Sequence, residues 1–368
     1  MRAAVVGLPA SGKTTLFNLL TGSKWDDVRG NGGFSSGHAS EMELRMAKVP
    51  DGRISYLSDF YHPKKTTYAQ IEVSDVPGIS PTGNGAGAEM TRFLSYLRTV
   101  DAFVYLVRTF QTAQGALPVD YKIDPVDEVD TLNLSLVLAD MQVVENRIER
   151  LKNSRKMSDL EREELKLLEE AYPHLADGRR LDLLSLTPEQ VEMLKGYAFL
   201  TLKPVILVGN LSEDQFLAHD YPGRKEFSDY SKDSNLPVVE LSAKIEWEIL
   251  GLPSEDRSVF LKEYGIEEPA IAQLSRMLYR ALGQISFFTV GEDEVKAWSI
   301  PQGTSAKKAA AAIHSDIEKG FIRAEVISFE DFKESGSVSA ARSKGLYRLE
   351  GKDYTVQDGD IITFRFSK

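Results

Sequence analysis

Gly7 and Gly12, followed directly by Lys13 and Thr14, stand in the spacing G-x-x-x-x-G-K-T. Those residue types in that order hold a phosphate chain. Glycines let backbone N–H groups curl around an anion. The lysine reaches the β- and γ-phosphates of a nucleotide, and the hydroxyl after it ligates Mg²⁺. Ala10, Ser11, Gly12, Lys13, Thr14 and Thr15 are therefore candidate nucleotide-binding residues, and Thr14 is also a candidate metal ligand. A second signal is Asp75-Val76-Pro77-Gly78. An Asp at a strand end approaches the Mg²⁺ shell, and a Gly three residues on offers its N–H to the γ-phosphate. Asp75 is the second candidate metal ligand, and Gly78 joins Lys13 as a candidate catalytic residue.

Such residues need a particular scaffold. The apolar run Ala3-Ala4-Val5-Val6 precedes the glycine loop, and Leu16-Phe17-Asn18-Leu19-Leu20 follows it. That is the strand–loop–helix setting the motif requires, with the positive end of the helix aimed at the anion. Strand-like Tyr68–Ser74, helical Met90–Arg98 and strand-like Ala102–Val107 continue the alternation. It predicts a parallel α/β sheet covered on both faces. The Gly- and Ser-rich stretch 23–40 reads as a long loop. Ser80–Ala88, with Gly83, Gly85 and Gly87, suits a switch ordered by nucleotide.

From Asp127 the pattern changes. Val129, Leu132, Leu136, Ala139 and Val143 repeat at helical spacing, and after 153–158 a second charged helix carries Leu160, Leu165, Leu168 and Tyr172. This predicts a helical hairpin or short antiparallel coiled coil inserted into the sheet domain. Its charges read as a solvated face or as a docking arm. The sheet then resumes with Pro204–Val208 and Pro237–Leu241. Each ends in a polar turn, Asn210-Leu211-Ser212-Glu213 and Ser242-Ala243-Lys244. Ligands bind at the carboxyl ends of strands in a doubly wound sheet, so both turns are candidates to grip the base. Beyond Gly283 the pattern is a small α+β unit. The expected domains are 1–126 and 198–282 for nucleotide binding, 127–197 for the helical insert and 283–368 for the last unit.

Bulk properties narrow the function classes. The chain has 368 residues, 42% hydrophobic and 27% charged, which excludes wholesale disorder. It contains no cysteine, which excludes disulfides, thiolate metal sites and cysteine nucleophiles. The first residues run directly into a strand, so no signal peptide is expected, and no apolar run reaches the length that spans a membrane. A cytoplasmic location is expected, with a monomer favoured and the oligomeric state left open. The net charge is −11, but residues 296–368 carry 12 Lys and Arg against 10 Asp and Glu, a net +2. An RNA contact therefore belongs in that last region, or that region is an interaction module without nucleic acid.

Taken together, these motifs resemble the Obg-like ATPases, the YchF subfamily of the translation-factor-related P-loop GTPases. Asn210-Leu211-Ser212-Glu213 stands where most GTPases have Asn-Lys-x-Asp, whose Asp accepts two hydrogen bonds from guanine. Glu213 is one carbon longer and does not keep that geometry, which points to ATP binding at least as well as GTP. The run His314-Ser315-Asp316-Ile317-Glu318-Lys319-Gly320-Phe321 and the run Leu349-Glu350-Gly351-Lys352-Asp353-Tyr354 resemble the family's TGS domain. The resemblance implies a P-loop NTPase fold with a C-terminal β-grasp unit and slow Mg²⁺-dependent hydrolysis. It also implies a ribosome or rRNA partner, met through the TGS and helical domains. Asn210, Leu211, Glu213, Ser242, Ala243 and Lys244 then hold the base. The chain departs from the family at Ala10, where an Asn oxygen helps bind potassium, and at Pro118, where a His is common. Ile79 keeps the family's apolar residue after the D-x-x-G motif, and Ser35, Ser36 and His38 lie in the first-switch region. Two further readings stay open: a nucleotide-gated ribosome-binding protein with vestigial chemistry, and a small-molecule phosphotransferase.

Overall fold

The computed structural model describes residues 1–22, 43–76, 86–110 and 123–367. In chain order its elements are β1 (Arg2–Val6), α1 (Lys13–Thr21), β2 (Glu43–Lys48), α2 (Gly52–Tyr61), β3 (Lys65–Thr67), β4 (Gln70–Asp75), α3 (Ala86–Leu97) and β5 (Ala102–Arg108). Then come α4 (Pro125–Lys152), α5 (Asp159–Ala176), α6 (Pro188–Leu194), β6 (Val205–Asn210), α7 (Glu213–Ala218), α8 (Arg224–Asp233), β7 (Val238–Leu241), α9 (Ala243–Gly251), α10 (Ser254–Glu263) and α11 (Ala270–Ala281). The last are β8 (Gln284–Thr289), β9 (Glu294–Pro301), α12 (Ala306–Ile313), α13 (Ser315–Lys319), β10 (Phe321–Ser328), α14 (Phe329–Ser335), α15 (Val338–Ser343), β11 (Arg348–Glu350) and β12 (Asp360–Phe366). They fall into two compact units, residues 1–45 with 72–273 and residues 46–71 with 274–368.

The first unit is built on a sheet of order β2-β4-β1-β5-β6-β7. β1 pairs parallel with β4 and β5, β5 with β6, and β6 with β7. The apolar runs explain this placement: all seven residues of β5 are buried, and so are all six of β6. A strand buried on both faces cannot alternate with polar residues. The parallel sense puts Gly7, Asp75, Thr109, Asn210 and Ser242 along one carboxyl edge, although they are far apart in sequence.

The expected hairpin is α4 and α5. Asp124 caps α4, accepting from Val126 N at 3.0 Å, with Pro125 in the first turn. Ser158 and Glu161 form a reciprocal cap on α5. The hairpin has an apolar core of its own, including Val144, Leu151, Leu168, Leu175 and Phe199.

The second unit holds a sheet of order β11-β10-β12-β8-β9-β3. Sequence alone assigns residues 46–71 to the nucleotide-binding part, whereas the structure packs them with the C-terminal residues. β3 pairs parallel with β9, Thr66 opposite Val295. Phe60 on α2 meets Phe332 edge-on at 5.0 Å, and Arg53 donates to Asp358 at 2.9 Å. These partners lie more than 200 residues away, and local pattern does not encode them.

Candidate functional site

The glycine loop joins β1 to α1 in a backbone course that explains its residue types. Gly12 has φ 97° and serves as the N-cap of α1. A Cβ there would lie 2.8 Å from Asn210 Nδ2, and one on Gly7 would lie 2.6 Å from the Leu106 carbonyl oxygen. Both positions therefore exclude larger residues for lack of space. Ala10 also has a left-handed backbone, at φ 61°. Among the described residues no side chain caps α1, so its first N–H groups face the loop.

Lys13 is 9% exposed, and its Nζ donates to the Leu8 carbonyl at 2.9 Å. Burial pushes its ammonium down to about 8, opposed by the carboxylates of Asp75 and Glu128. The Thr14 hydroxyl donates to Asp75 Oδ2 at 2.8 Å. Burial raises the Asp75 carboxyl above its ordinary range, against the Thr14 hydrogen bond and the Lys13 charge. The Lys13 ammonium, the Thr14 hydroxyl and the Asp75 carboxylate thus lie close together at the carboxyl edge of the sheet. Thr14 and Asp75 offer oxygen donors only, which suits a hard cation such as Mg²⁺. No cluster of three or more His, Asp or Glu exists among the described residues. A cation here would complete its shell with phosphate and water oxygens.

Asn210 braces the site. It is 4% exposed, and its Nδ2 donates to the Ser11 carbonyl at 2.9 Å. Its Oδ1 accepts from Ala243 N at 3.2 Å. One side chain thus ties the phosphate loop to the turn after β7. Leu211 N donates to the Leu241 carbonyl at 2.8 Å, and Ser242 caps α9. Glu213, the first residue of α7, forms an ion pair with Lys244. The structure therefore brings Asn210, Leu211, Glu213 and Ser242–Lys244 together.

Sequence reasoning passed over several residues. Arg108 donates through Nη2 to Glu128 Oε1 at 2.9 Å, and both side chains are 1% exposed. This buried pair lies close enough to influence the charge of Lys13. Thr109 and Gln215 bridge the ends of β5 and β6. Ser212-Glu213-Asp214-Gln215 spells the start of a capped helix, so its signal was present in the sequence. Gly78 and Ile79, the first-switch residues Ser35, Ser36 and His38, and Pro118 lie outside the described residues. His174 is buried against the Arg180 carbonyl at 2.8 Å, while His62 and His219 end α2 and α7.

Comparison with known proteins adds an independent line. Residues 2–147 match the family described as 50S ribosome-binding GTPase. Residues 284–367 match the YchF-GTPase C-terminal family, described as a protein of unknown function. The chain is 39% identical to the ribosome-binding ATPase YchF of Bacillus subtilis, over 100% of this chain and 99% of that protein. It is 34% identical to the Obg-like ATPase 1 of Oryza sativa subsp. japonica, over 100% of this chain and 92% of the relative. Among solved structures, the Schizosaccharomyces pombe YchF GTPase superposes with a TM-score of 0.86 at 29% identity, covering 99% of this chain and 97% of that one.

Proposed function

Because the chain belongs to the YchF family, we propose that it binds and slowly hydrolyses a nucleoside triphosphate with Mg²⁺ and acts at the ribosome as a regulator of translation. The convergence of Lys13 and Thr14 with Asp75 carries this reading. Lys13 and the amides of residues 10–15 hold the phosphates. Thr14 and Asp75 hold Mg²⁺, which when bound neutralises charge developing on the phosphates. Gly78 takes the γ-phosphate. Asn210 keeps the phosphate loop and the Ser242–Lys244 turn in register, and Glu213 faces the base.

Glu213 supports ATP binding at least as tight as GTP binding. Titration calorimetry with both nucleotides, with Mg²⁺ in potassium and in sodium buffer, tests this. A tenfold advantage for GTP, about 1.4 kcal/mol, refutes the reading of Glu213. The ribosome partner is supported by the names of the relatives and by the +2 charge of residues 296–368 against the acidic remainder. We assign that contact to the C-terminal unit, read as a TGS-like domain, and to the helical hairpin, in a cytoplasmic protein that is monomeric off the ribosome.

One observation favours a second reading. Ala10 brings a methyl group where the family places an Asn oxygen, so the chain lacks one ligand for an activating potassium ion. A nucleotide-gated ribosome-binding protein with vestigial hydrolysis follows from that. Single-turnover assays with labelled ATP, with and without ribosomes, separate the two. Phosphate release under either condition supports the hydrolase, and none under both supports the gate.

A further inference from the structure

The turn Asn210–Glu213 is fixed at both ends, and the second anchor is a side chain with no part in the motifs. We propose that Gln215 is a positioning residue for base recognition. Its amide, wedged between the end of β5 and the start of α7, holds Glu213 at the place where the base is met. The inference rests on the reading of Glu213 as the residue that faces the base.

Gln215 does more than cap a helix. Its Oε1 accepts from Ser212 N at 3.0 Å, which completes the reciprocal cap of α7. The same oxygen lies 2.9 Å from the Thr109 hydroxyl, and Nε2 donates to the Thr109 carbonyl at 2.8 Å. Thr109 is 2% exposed, and its hydroxyl also lies 2.8 Å from the Asn210 carbonyl oxygen. Thr109 N donates to that same carbonyl at 3.2 Å. The end of β5 is therefore joined to the end of β6 directly at Asn210, and to the start of α7 through the Gln215 amide. Gln190 occupies the equivalent place in the cap of α6, accepting from Thr187 N at 2.8 Å. Among the described residues the Gln190 Nε2 has no partner, so the bridge at Gln215 is not a requirement of capping.

The consequence is geometric. Both polar groups of the Asn210 side chain are occupied by Ser11 and Ala243, so Asn210 fixes only the start of the turn. Glu213 is the first residue of α7, and its place is set by where α7 begins. Without the bridge, the start of α7 loses its side-chain link to Thr109 and keeps its backbone continuity with β6, the packing of Phe216 and the Glu213–Lys244 ion pair. A displacement on the scale of 1 Å there disturbs hydrogen bonds to a bound base.

Calorimetry on the full chain with ATP, GTP and inorganic tripolyphosphate tests this in wild type, Gln215→Ala, Gln215→Glu and Glu213→Ala. Tripolyphosphate has no base, so it reports the phosphate loop and the integrity of the fold. Gln215→Ala is expected to weaken ATP about tenfold and leave tripolyphosphate within about twofold. Gln215→Glu keeps an acceptor for Ser212 N but sets a carboxylate against the Thr109 carbonyl, and is expected to be as weak as Gln215→Ala. Wild-type ATP affinity in either variant, or an equal loss for ATP and tripolyphosphate in Gln215→Ala, overturns the proposal. Glu213→Ala decides the underlying reading separately. An unchanged ATP-to-GTP ratio there removes Glu213 from base recognition, whatever the Gln215 variants show.

Discussion

Replacing Asn210 by Ala should cost stability and nucleotide affinity together. The side chain is 4% exposed and makes two hydrogen bonds, to the Ser11 carbonyl at 2.9 Å and from Ala243 N at 3.2 Å. Ser11 is 1% exposed and Ala243 5% exposed, so water does not readily reach the groups left behind. Each orphaned buried group costs roughly 1–3 kcal/mol, which gives about 2–6 kcal/mol for the pair. That is a large share of the roughly 5–15 kcal/mol that holds a typical domain folded. Asn210→Asp separates the two bonds: it keeps an acceptor for Ala243 N but places a carboxylate against the Ser11 carbonyl. Urea unfolding followed by tryptophan fluorescence measures both, since Trp247 lies on α9, the helix that Asn210 braces. Asn210→Ala should lower the unfolding free energy by about 2–6 kcal/mol, and Asn210→Asp by at least half as much at neutral pH. A loss under about 1 kcal/mol in the Ala variant would show that the brace contributes nothing, and the reasoning would fail.

Lys13→Ala should abolish binding of both ATP and GTP, because the buried ammonium is the main cation of the phosphate loop; calorimetric heats unchanged from wild type would refute the assignment. Ala10 has φ 61°, a conformation that costs a non-glycine residue on the order of 1 kcal/mol and that Asn tolerates better. Ala10→Asn should therefore stabilise the protein by up to about 1 kcal/mol in urea unfolding. It should also make ATP hydrolysis faster in potassium than in sodium; equal rates in both salts would exclude a potassium site at residue 10. Burial pushes the Glu246 carboxyl from 4.5 up to about 7, against the N–H groups of Ala270 and Ile271 that it accepts. The folded value lies above the unfolded one, so its contribution is fully present below about pH 4.5 and is lost as pH rises through about 7, roughly 3 kcal/mol in all. Glu246→Gln should flatten stability between pH 5 and pH 8 in chemical denaturation, and a slope matching wild type would refute the assignment.

The candidate phosphate-binding residues were legible because a short-range rule governs them. Gly12, Lys13 and Thr14 work through a loop of a few residues between a strand and a helix, and both flanks advertise themselves by apolar runs. Helix caps such as Thr187 with Gln190 obey a rule of the same short range. The turns at Asn210 and Ser242 were found by an intermediate argument: buried strands announce a parallel sheet, and a parallel sheet gathers its carboxyl ends on one edge. Parallel pairing fixes where the turns lie but not which side chains hold them.

Tertiary structure alone decided the rest. Only the fold shows that Asn210 reaches Ser11 across 199 positions of sequence, or that Gln215 clasps Thr109 across 106. Only the fold shows that residues 46–71 add β3 beside β9 in the other unit. A hydrogen bond between side chain and distant backbone leaves no periodicity, and an Asn or Gln reads alike whether it is solvated or buried against a carbonyl. Composition and spacing thus determined which chemistry the chain carries and roughly where. The pairing of strands, decided by burial of apolar runs from the whole chain, determined which other residues hold that chemistry in place.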